Sequence, residues 1–70
     1  MEKKRICNDL SIHYQYSKTT LLFLVSFFEW RTDCYVSSMM SNNKESLIKQ
    51  ISEYAKLNEQ EEIQLRKIIS

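Results

Sequence analysis

The clearest pattern along the chain lies in its last third. Leu47, Ile48, Ile51, Tyr54 and Ala55 recur at i, i+1, i+4, i+7 and i+8, which marks one face of a helix. Asn42 with Glu45, or Asn43 alone, can cap its start by accepting free backbone N–H groups. Glu45–Lys49 and Glu53–Lys56 support its exposed face. The pattern then restarts. Asn58 is a good N-cap, with Glu61 at the capping-box position. Glu59, Glu61 and Glu62 sit at the positive end of the new helix dipole, and Arg66 and Lys67 near its negative end. Leu65, Ile68 and Ile69 share a face, while Ile63 points away from it. Two short helices are predicted, over 44–56 and 59–69. Such a hairpin is too small to be stable alone and must dock on something else.

The middle of the chain is apolar all round. Leu21, Leu24, Val25, Phe28, Tyr35, Val36 and Met39 fall at helical spacing, and Phe23, Phe27, Trp30 and Cys34 make a second row beside them. Ser26, Glu29, Asp33 and Ser37 form only a narrow polar strip. Helix is the reading adopted for residues 18–40. A helix of that kind must be buried on most of its surface. The competing reading is a hairpin of "LLFLVSFFEW" and "CYVSS" around Arg31-Thr32-Asp33, which lacks an Asn-Gly or Asp-Gly turn. In residues 1–17, Ile12, Tyr14 and Tyr16 alternate with His13, Gln15 and Ser17, so this segment is either irregular or a short strand. The fold class expected is therefore mostly α, with three parts: residues 1–17, an apolar helix over 18–40 and an amphipathic pair over 41–70.

Composition adjusts this picture in three places. Gly and Pro are both absent, which favours helix over tight hairpins. Ala55 is the only alanine, however, and an AT-rich coding region would deplete all three residue types together. Seventy residues allow one domain with a small core. The formal net charge of +1 lacks the basic excess of nucleic-acid binders, so a nucleic-acid partner is not expected.

Candidate chemistry is sparse. Cys7 and Cys34 have no C-x-x-C neighbour, and with His13 they make at most three metal ligands without a characteristic spacing. They read as isolated small hydrophobes in a cytoplasmic protein. Without glycine there is no phosphate-cradling loop. No catalytic residue, cofactor or metal is expected, and Glu61 and Glu62 are explained by capping. The apolar run at residues 21–28 is too short to span a membrane. Residues 10–25 follow the outline of a helix-turn-helix, with Ser17 capping and Thr20 and Leu21 opening the second helix. Gln15 stands where the turn wants Gly, and the second helix lacks base-reading side chains.

Residues 45–70, "ESLIKQISEYAKLNEQEEIQLRKIIS", resemble the helical lead-in of the CRP/FNR family of cyclic-nucleotide-binding transcription regulators. Leu47, Ile48, Ile51 and Tyr54 match the first helix of that lead-in. Leu57, Asn58, Glu61 and Glu62 match the restart, and Leu65 and Ile68 the second helix. The family's β-roll and DNA-binding domain have no counterpart in the 70 residues, so no ligand-binding residue carries over. The resemblance implies a truncated or fragmentary regulator that begins near Met40, without enzymatic activity. One alternative is a small helix-turn-helix DNA-binding protein over residues 10–25; the other is a complete small helical interaction module. Its candidate face is Leu21, Leu24, Val25, Phe28, Leu47, Ile48, Ile51 and Tyr54, and its partner a larger protein or a second copy docking on the apolar middle segment.

Overall fold

The structure, a computed structural model, describes residues 2–69. Four strands come first: β1 (Lys4–Arg5), β2 (Leu10–Ser17), β3 (Leu22–Glu29) and β4 (Tyr35–Ser41). Two helices follow, α1 (Lys44–Ala55) and α2 (Glu59–Ile69). The strands form one antiparallel sheet in the order β1-β2-β3-β4. The expected mostly α fold, and with it the description of a small helical protein, is therefore corrected: strands occupy slightly more of the chain than helices do.

The correction falls on residues 18–40, which form the β2–β3 turn, β3 and most of β4 rather than a helix. The physical reason is the position of β3. It is a central strand, with neighbours on both sides and apolar side chains on both faces. A run interrupted only by Ser26 and its terminal Glu29 has no clear period, so it fits a buried strand as well as a buried helix. Its β-branched and aromatic residues then favour the strand. The same strands remove the helix-turn-helix, because residues 10–25 are β2, a turn and the start of β3. The alternation at Ile12, Tyr14 and Tyr16 lies within β2.

One face of the sheet carries the core. Ile12 pairs with Phe27, Tyr14 with Val25, and Val25 in turn with Met39. Onto these pack Leu47, Ile48 and Ile51 from α1, and Leu65 and Ile69 from α2. Phe27, Leu47, Ile51 and Leu65 are fully buried. Each such side chain stabilises the fold by about 1.5–3 kcal/mol through its removal from water. The sheet is thus the support the helical hairpin requires. Tyr54 reaches the same face, with its ring 4.8 Å from that of Phe27 and its hydroxyl 3.1 Å from Ser37 Oγ.

The helix ends are closed locally. Asn43 Oδ1 accepts from the Ser46 N–H at 3.0 Å. Asn58 and Glu61 form a reciprocal capping box, each side chain accepting from the other's backbone N–H at 2.8 and 3.0 Å. Arg66 ties α2 to α1 through Glu45 Oε2 at 2.6 Å and lies 3.5 Å from Glu62. α1 ends on Lys56 in the left-handed region, with the Leu57 N–H donating to the Ser52 carbonyl.

Hairpins without glycine are made possible by the same device. Leu21 (φ 58°) closes the β2–β3 turn and Asp33 (φ 61°) the β3–β4 turn. In the latter the Asp33 N–H donates to the Glu29 carbonyl, and the Glu29 N–H to the Cys34 carbonyl. Longer loops need one left-handed residue rather than the two of a two-residue type I′ turn. Each non-glycine residue held there costs about 1 kcal/mol. Lys56→Gly is accordingly expected to raise stability by about 0.5–1 kcal/mol. A urea midpoint unchanged or lowered relative to the parent chain would contradict this account of the helix end.

Candidate functional site

The second face of the sheet has no helix on it. It is built by the alternate residues: Ser11, His13, Gln15 and Ser17 of β2, and Leu22, Leu24, Ser26 and Phe28 of β3. From β4 come Ser38 and Met40, and Tyr35 opposite Phe28. A bulge separates the Phe27–Ser37 and Phe28–Tyr35 pairs and leaves Val36 as the extra residue.

The two ends of this face differ. At the end near the β3–β4 turn, basic side chains from the N-terminal segment lie over aromatic rings. Lys3 Nζ stands 4.1 Å from the centre of the Phe28 ring and 2.7 Å from Asp33 Oδ1. Arg5 stacks 4.8 Å from the Trp30 ring, while its Nε donates to the Cys7 carbonyl at 2.9 Å and its Nη2 to the Asn8 carbonyl at 3.0 Å. Phe28 meets Tyr35 edge-on at 6.0 Å. Ser11, paired with both Arg5 and Phe28, is small enough to lie fully buried among them. Toward β4 there is no such cover. Met40 and Tyr35 are each 61% exposed, and Val36 is 45% exposed.

The eight residues expected to share one interaction face are divided by the sheet. Val25, Leu47, Ile48 and Ile51 belong to the core. Leu24 and Phe28 lie on the uncovered face. Leu21 is exposed in the β2–β3 turn, and Tyr54 is half-exposed beside β4. Lys3, Arg5, Trp30, Tyr35 and Met40 lie outside the expected face. The contacts of Lys3 and Arg5 with Phe28 and Trp30 span some 25 residues of sequence.

A groove of about 210 Å³ is lined by Glu2, Lys4, Ile12, His13, Tyr14 and Ile68. His13 Nδ1 lies 2.9 Å from the Glu2 carbonyl, which places its proton on that nitrogen. Among the described residues no Ser, Thr or Cys lines the groove. Among the described residues no three His, Cys, Asp or Glu side chains converge on one point. No helix among them is long and apolar enough to cross a membrane.

Comparison with protein-family models, with curated proteins and with solved structures finds no match. Of the residues that carry the CRP/FNR resemblance, Leu47, Ile48, Ile51 and Leu65 are buried in the core.

Two outcomes test this description. Trp30 is the sole tryptophan. Arg5→Gln should shift its emission and lower stability by about 0.5–1 kcal/mol, and Lys4→Gln should do neither. The second concerns Tyr14, whose hydroxyl burial pushes above the ordinary tyrosine value, with Tyr16 adding to the shift. A folded-state value above the unfolded one means the contribution is complete below about pH 10 and is lost as pH rises through the folded value. Denaturant midpoints should fall more steeply in alkali for the parent chain than for Tyr14→Phe, and identical alkaline profiles would refute the assignment.

Proposed function

We propose that this protein is a non-enzymatic module that binds protein through the uncovered face of its sheet and the adjoining edge of β4. The observation that carries this is the apolar surface left there: Leu24 pairs with Met40 at one end, Tyr35 and Val36 lie at the other, the Ser26–Ser38 pair stands between them, and Met40, Tyr35 and Val36 are exposed. A domain this small has little apolar surface to spare, and leaving some of it outside the core suits recognition better than stability. The charge balance of +1 supports a protein rather than a nucleic-acid partner. The two unpaired cysteines support a reducing, cytoplasmic setting.

The reading is tested by placing a photo-crosslinking residue at Met40 or at Leu24 in the full chain, inside the cell that makes it. Discrete adducts are expected from these two positions and not from Gln50 or Gln64, exposed positions on the helices. Adducts of equal yield from all four positions, or none from Met40 and Leu24, would rule the reading out.

A further inference from the structure

We infer that the partner at this surface is a second copy of the chain, paired antiparallel through β4; this rests on the reading just given and names its occupant. β4 ends the sheet, so one side of it has no neighbouring strand among the described residues. None of the backbone hydrogen bonds outside the helices and ladders involves residues 35–41. Open edges in natural sheets are guarded by charge, proline, brevity or a bulge. "YVSSMMS" contains no charged residue and no proline. Its bulge at Tyr35–Val36 leaves Ser37–Ser41 regular. At the opposite edge β1 has only two residues, both basic, and pairs with Ser11 and Ile12 of β2.

The exposed apolar side chains point to the same margin. Among the described residues eight large ones remain exposed, and four of them lie on β4 or over it: Tyr35, Val36, Met40 and Tyr54. Self-pairing is favoured by the charge pattern. A neutral strand opposes itself without placing like charges across the junction. A two-fold axis through Met39 sets Ser38 opposite Met40 of the second copy and Ser37 opposite Ser41. Side chains of the core face then meet side chains of the core face, and outer meets outer, because opposed residues keep the same parity. On the outer face each Met40 then meets Ser38 of the other copy, and the two Met40 side chains lie on the diagonal across the axis. The pairing is isologous and consumes β4 of both copies, so assembly through this edge stops at a dimer.

The test is the mass of the full chain in solution by sedimentation equilibrium. The parent chain should reach about twice its 8.4 kDa as concentration rises toward about 1 mM. Ser38→Lys, at an exposed position, should weaken the dimer roughly tenfold or more, and Gln50→Lys should not. The double variant Ser38→Lys/Met40→Glu sets opposite charges against each other across the axis and should recover association. Circular dichroism confirms that each variant is folded. A parent chain that stays monomeric at about 1 mM, or a folded Ser38→Lys variant that associates as the parent does, overturns the inference. Photo-adducts heavier than two chains, formed by a protein that is monomeric when pure, would overturn it while leaving the interaction reading intact.

Discussion

The packing of β3 against α1 governs the rest of the structure. β3 is the only strand of the sheet with a long neighbour on each side, and Val25 and Phe27 on its inner face are completely buried. Leu47 and Ile51 close over them. A small chain buries only about 60% of its unfolded surface, so its stability rests on a few such contacts. The helices cannot stand without the sheet, because each is too short to persist in water. The sheet in turn needs the helices, since its inner face is almost entirely apolar. Residues 10–41 and 44–69 therefore share one core across the join at Ser41–Asn43, which had looked like a boundary between unrelated segments.

How much of this was legible depended on whether a signal was local. The helices were, because period and caps both lie within a dozen residues. Asn43, Asn58 and Glu61 do in the structure what their sequence positions suggest. β2 was legible through its alternation. β3 was not, since a strand apolar on both faces loses the period that would identify it. β4 has no alternation either: paired serines and paired methionines put like residues on opposite faces. The absence of glycine misled in the same direction. It excludes the tightest hairpins, but Leu21 and Asp33 accept left-handed backbone at modest cost and longer turns form instead.

The candidate surface was still less visible, because it is defined by pairing register. Lys3 and Arg5 have no reason to meet Phe28 and Trp30 until β1 and β3 flank β2. Once they do, a solvated-looking basic terminus becomes a roof over aromatic rings. Ring faces attract cations, and the guanidinium of Arg5 is further fixed by two carbonyls.

That roof explains why the surface is open where it is. The N-terminal segment reaches across β2 far enough to cover Phe28, and its Lys3 is held there by Asp33 from the β3–β4 turn. It cannot reach β4, which lies one strand further on. Phe28 is consequently almost wholly buried, whereas Met40, on the same face, is 61% exposed. The boundary between covered and uncovered apolar surface is thus set by the reach of a few residues at one edge. What remains uncovered gathers at the opposite edge, beside the strand that carries neither charge nor proline to keep another strand away.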